Sequence, residues 1–181
     1  MPQFAPSARY TKVAAWLHWV IGLLIIGNIA GGLLHESFGK AAKEIIMSLH
    51  FSTGILILAL SVGRLLWRLT HRPPPLPAGT PRWQVWPSRI SHGLLYALMF
   101  ALPATGRLMM SAGPYDFNFY GLFPVPMLPV EPSKALGKAM HDRHELLGYI
   151  AIALAVLHIA AALKHQYLDR DQLFARINPF G

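Results

Sequence analysis

The chain contains no cysteine. That excludes disulfides, thiolate-held iron–sulfur clusters, cysteine-rich zinc sites, a cysteine nucleophile and thioether-linked haem. Charge is scarce as well. Only 13% of the 181 residues are Asp, Glu, Lys or Arg, about half the usual share of a soluble domain. Acids are scarcer still, at 8 against 16 bases, so the formal charge is +8. No glycine-rich nucleotide motif, internal repeat or low-complexity tract is present. What fills the sequence instead is apolar: 54% of residues are hydrophobic. Nine histidines stand out against that background.

Four stretches free of Asp, Glu, Lys and Arg account for the hydrophobicity: residues 13–35, 45–63, 90–106 and 146–163. At about 1.5 Å per residue each spans, or nearly spans, a hydrocarbon core of roughly 30 Å once its flanks are added. The expected fold is an all-α membrane protein, a bundle of four transmembrane helices over about 13–35, 45–67, 90–112 and 145–164, forming a single membrane domain. Trp16, His18 and Asn28 interrupt the first stretch, which also runs too long for the apolar core of a signal peptide.

Proline punctuates the connections. Residues 72–87 carry Pro73, Pro74, Pro75, Pro77, Pro81 and Pro87, which predicts an extended crossing. Residues 113–143 read as the longest loop, with Pro114, Pro124, Pro126, Pro129 and Pro132. Its aromatic run, Tyr115, Phe117, Phe119, Tyr120 and Phe123, suits a membrane interface. Trp16, Trp19 and Trp67 read as interfacial belt residues, Pro103 as a helix kink, and Asn28 as a helix-to-helix hydrogen bond.

Charge by side sets orientation. The N-terminus, the second connection and the C-terminal tail hold ten bases against Asp169 and Asp171. The other side balances six bases with six acids. The positive-inside rule places both termini in the cytoplasm. The high basicity is therefore a topology signal, and no nucleic acid partner is expected.

Depth then sorts the histidines. His18 lies near the cytoplasmic end of the first span and His158 near that end of the fourth; His50 and His144 share the opposite level. On the fourth helix, His144 and His158 are 14 residues apart, about 21 Å along the axis and about 40° short of four full turns. One helix thus aims two imidazoles to one side in opposite leaflets. Histidine inside a membrane bundle is costly and marks function by default. Paired imidazoles at one level suit the two axial positions of a haem iron.

A second pattern agrees. Four residues after these histidines come Gly22, Gly54, Gly148 and Ala162, leaving room for a flat macrocycle against each helix. Of the other histidines only His35, with Gly39, has a small residue there. Small residues are common in membrane helices in any case. Zinc or copper is the rival ligand, although two histidines alone under-coordinate zinc, and a haem-free transporter or metal-binding membrane protein is the corresponding rival function.

The segments Trp16-Leu17-His18-Trp19, Leu49-His50-Phe51-Ser52-Thr53-Gly54, Leu102-Pro103-Ala104-Thr105-Gly106 and His144-Glu145-Leu146-Leu147-Gly148-Tyr149, then His158 and Lys164-His165, together resemble the bacterial cytochrome b561 family. The likeness covers nearly the whole chain. It implies a four-helix inner-membrane protein with two non-covalent b haems, held by His18 with His158 and by His50 with His144. One member type is a superoxide:ubiquinone oxidoreductase, which passes electrons from superoxide at the periplasmic face to quinone. Relatives serve as cytochrome b subunits of hydrogenases and dehydrogenases, so a separate redox partner is the alternative. Many members carry two adjacent histidines where this chain has His165-Gln166.

The expected function is transmembrane electron transfer between a small periplasmic donor or redox protein and ubiquinone, within lipid. Candidate contacts to quinone or to haem propionates are His92, His165, Lys164 and Arg89 at the cytoplasmic level and Arg107 at the other.

Overall fold

A computed structural model describes residues 9–75, 80–113, 115–171 and 173–180. Pro77 and Pro114 lie outside the described residues. Four long helices dominate: α1 (Lys12–Leu34), α2 (Lys40–Thr70), α3 (Arg82–Ser111) and α4 (Lys134–Lys164). All four are long and apolar enough to cross a membrane. The three longest have 30 or 31 residues. At about 1.5 Å per residue they reach roughly 45 Å, beyond the hydrocarbon core into the headgroup layer.

Their ends follow local chemistry. The Thr11 hydroxyl accepts from the Ala14 amide at 3.3 Å and caps α1; Ser133 does the same for Leu136 at 3.2 Å and caps α4. α4 therefore starts eleven residues earlier than the expected span of 145–164, because Lys134–Arg143 is helical despite its charges. Asp142 accepts from Lys138 one turn earlier, at 2.8 and 3.0 Å. α3 also begins early, and Pro87, expected in an extended crossing, lies inside it. This proline falls in the second turn, where its missing N–H leaves the Trp83 carbonyl without its helical donor.

α3 packs on α4, α1 on α2, and α2 on α3. The interior is made of modest side chains, among them Ala15, Ile21, Ile57, Leu98, Met110 and Ala151. Ser52 and Ser61 are fully buried, each donating one turn back, to Ser48 and Ile57 carbonyls at 2.9 and 2.6 Å. Large apolar side chains such as Leu23, Leu66, Val156 and Leu157 face outward. That distribution suits hydrocarbon as solvent, where helix contacts come from close packing.

Both chain ends meet at one end of the bundle. The Tyr10 amide donates to the Arg176 carbonyl at 3.1 Å, and Trp19 Nε1 donates to the Ile177 carbonyl at 3.0 Å. Trp16 and Trp19 pack edge-on against Phe180 and Phe174. These tryptophans thus clasp the tail. α4 leads into that tail through a π turn, His165–Asp169.

At the opposite end, the connection between α3 and α4 includes a two-residue hairpin, β1 (Asn118–Phe119) and β2 (Phe123–Pro124). It turns on Tyr120 and Gly121, both at positive φ, a backbone state that glycine adopts without strain. The Tyr120 amide donates to Ser52 Oγ at 2.9 Å, and its hydroxyl shares a hydrogen bond with Thr53 at 2.9 Å. Of the aromatic run, Phe117 is buried and packs against Phe51, so this part of the loop folds back on α2.

Candidate functional site

Two histidine pairs form inside this frame. His18 on α1 and His158 on α4 have ring centres 6.1 Å apart at an interplanar angle of 66°. His50 on α2 and His144 on α4 have ring centres 6.0 Å apart at 73°. A metal bound at about 2 Å by one nitrogen of each ring would set the two centres about 6 Å apart. Each pair could therefore hold one haem iron through a nitrogen of each ring.

The outer pair, His50 and His144, is anchored by main chain. His50 Nδ1 donates to the Asn28 carbonyl at 3.0 Å, and His144 Nδ1 donates to the Leu102 carbonyl at 3.0 Å. Thr105 Oγ1 lies 3.1 Å from the same His144 nitrogen, while its own hydroxyl is within 2.9 Å of the Ala101 and Leu102 carbonyls. With the proton fixed on Nδ1, Nε2 of each ring carries the free lone pair. The helix-to-helix hydrogen bond expected at Asn28 is made by its backbone oxygen. Leu102 precedes Pro103 in α3.

The inner pair has different neighbours. An Arg64 guanidinium nitrogen stands 3.3 Å from His18 Nδ1, and Arg64 Nε donates to the Tyr96 hydroxyl at 3.0 Å. His92 packs edge-on against His158 with ring centres 5.3 Å apart. His92 Nδ1 donates back to the Ser88 carbonyl at 2.6 Å.

The helix surface is open at the glycines one turn from the rings. A Cβ built on Gly22 or Gly148 would meet nothing within 4 Å; on Gly54 it would meet only Asn28 Nδ2, at 3.9 Å. Ala162 is half-buried. Two further glycines face the rings across the bundle. A Cβ on Gly32 would come within 3.0 Å of His50 Cε1, and one on Gly106 within 3.4 Å of His144 Cε1. Spacing along one helix gave no sign of these, nor of Arg64; matching levels between helices would have found them.

The remaining candidates divide. His92 reaches the inner pair. His165 is engaged by Asp171 at 2.6 Å and Asp169 at 3.2 Å, and Lys164 by Asp169 at 2.5 Å. Arg89 lies over the Trp86 ring at 5.8 Å. Arg107 Nη1 donates to Met127 Sδ at 3.4 Å.

Four apolar helices with paired imidazoles between them define a class, the multi-pass membrane proteins that bind b-type haem and move electrons. Within that class the chain belongs to the prokaryotic cytochrome b561 family, whose profile matches residues 9–179. It is similar to cytochrome b561 homologs 1 and 2 of Escherichia coli K12, at 29% and 31% identity. The alignments cover 94% and 93% of this chain and 97% and 90% of those relatives. A Yersinia pestis protein named "Probable superoxide oxidase CybB" is 27% identical, over 94% of this chain and 96% of that protein.

Proposed function

We propose that this bacterial membrane cytochrome holds two b haems, one between His18 and His158 and one between His50 and His144, and carries electrons between a periplasmic donor and ubiquinone. The observation that carries this reading is the pair of matched ring separations, 6.1 and 6.0 Å, with α4 supplying one histidine to each. When bound, a bis-histidine haem supplies one-electron relay with no open coordination position.

The chain's own groups do the rest. The Asn28 and Leu102 carbonyls hold the Nδ1 protons of His50 and His144, fixing ring orientation and leaving Nε2 to bind. Gly22, Gly54, Gly148 and Ala162 keep the helix surfaces low beside the rings. Arg64 places a positive charge beside His18, which favours an extra electron at that level. Among the quinone candidates, His92 is the one set against the inner pair. The excess of bases at the end carrying both termini supports an inner-membrane orientation with that end cytoplasmic. Superoxide is the first donor to test, in view of the name of the Yersinia pestis relative.

The test is stopped-flow reduction of the purified protein by superoxide, with and without a quinone analogue. The expected result is rapid reduction, then reoxidation when quinone is present. Two loaded haems that superoxide leaves unreduced would overturn the donor and favour a cytochrome subunit served by a separate dehydrogenase.

A further inference from the structure

A pocket at the end carrying both termini reaches the His18 level through Arg64 and otherwise lies apart from the histidine pairs. It is lined by Arg9 before α1, by Arg64, Arg68 and Arg72 at the end of α2, and by Trp67 and Tyr96. No carboxylate lines it. The Arg64 and Arg68 guanidinium carbons lie 5.9 and 5.7 Å from the centre of the same Tyr96 ring, so one aromatic ring serves both cations.

The arrangement is electrostatically incomplete. Among the described residues, the salt bridges are made by lysines and histidines, and none by these four arginines. Like charges gathered where protein displaces water repel one another, and a counter-ion offsets that cost. The guanidinium fork matches phosphate oxygens two at a time. The pocket also lies where α2 runs out of apolar residues, with Trp67 beside it, which is headgroup depth for a helix of this length.

We propose that this pocket binds a phosphate group, carried either by an anionic phospholipid or by free inorganic phosphate. The proposal does not depend on the haem assignment. Arg64 also touches His18, so the test uses Arg68 and Arg72.

The experiment takes the full-length, haem-loaded protein in detergent, stripped of lipid. It follows the thermal unfolding midpoint on adding short-chain phosphatidylglycerol, short-chain phosphatidylcholine or inorganic phosphate. Phosphatidylglycerol should raise the midpoint by several degrees and phosphatidylcholine should not. A response to phosphate alone at equal concentration assigns a free anion; a response to phosphatidylglycerol only assigns a lipid. The R68Q/R72Q double variant should need at least about tenfold more ligand for the same shift, while R170Q, at the same end but outside the pocket, responds like the parent. The R68K/R72K variant guards against simple misfolding and should respond weakly, because an ammonium is a point charge. The proposal is overturned if no anion shifts the midpoint, or if R68Q/R72Q responds like the parent. It is also overturned if R68Q/R72Q loses haem yet keeps its response to phosphatidylglycerol, since the arginines would then serve a cofactor carboxylate.

Discussion

The two histidine pairs are nearly equal in separation, 6.1 and 6.0 Å, and differ in what stands behind each ring. Behind His50 and His144 are carbonyl oxygens of the neighbouring helices, which can only accept. Behind His18 is a guanidinium, which can only donate, and beside His158 is another imidazole. A carbonyl on the far nitrogen makes an imidazole a stronger electron donor. A nearby cation favours the reduced state of whatever the ring binds. On the proposed reading, equal spacing with opposite polarity behind it would give the two levels unequal potentials, the higher one beside Arg64.

The largest effects should come from the rings themselves. His50→Ala should remove the outer haem and His158→Ala the inner one, each lowering haem per chain from about two to about one by pyridine haemochrome assay. Either variant retaining both would break the two-level picture. Next come the open helix surfaces. Gly148→Leu should cut loading mainly at the outer level and Gly22→Leu mainly at the inner one, read as selective loss of one component in a redox titration.

Arg64→Gln sharpens the contrast more gently. Removing a charge worth roughly 1 kcal/mol should lower the inner midpoint potential by a few tens of millivolts, since about 59 mV is a tenfold change for one electron. The outer potential should stay where it is. The smallest effect belongs to Thr105→Val. It removes the hydroxyl from His144 but leaves the Leu102 carbonyl bond, so the outer potential should rise by less than the Arg64 shift.

Hydropathy made four helices legible, because each charge-free stretch with its flanks is as long as a bilayer core. It misplaced the ends. Lys134–Arg143 carries charge yet is helical, since Ser133 caps it and Lys138 pairs with Asp142 one turn on. Pro87 read as a breaker and falls in the second turn of α3. Depth counting put His18 at the level of His158 and His50 at that of His144, and the fold brings each pair together. The surroundings of the rings were hidden for a different reason. Arg64 was counted only as one of ten bases setting orientation, and Gly32 and Gly106 sit on helices other than those whose imidazoles they face. Such relations depend on helix rotation, which residue spacing within one helix does not encode. Asn28 was read as a link between helices, and its backbone oxygen makes one to His50.

The Asn28 and Leu102 oxygens belong to peptide units, so nearly any residue at either position would supply the same acceptor. The outer anchor is thereby shielded from mutational drift, while the arginine beside His18 can be exchanged in a single codon step. A lineage adapting to a new electron acceptor has an adjustable dial at one level and a fixed reference at the other.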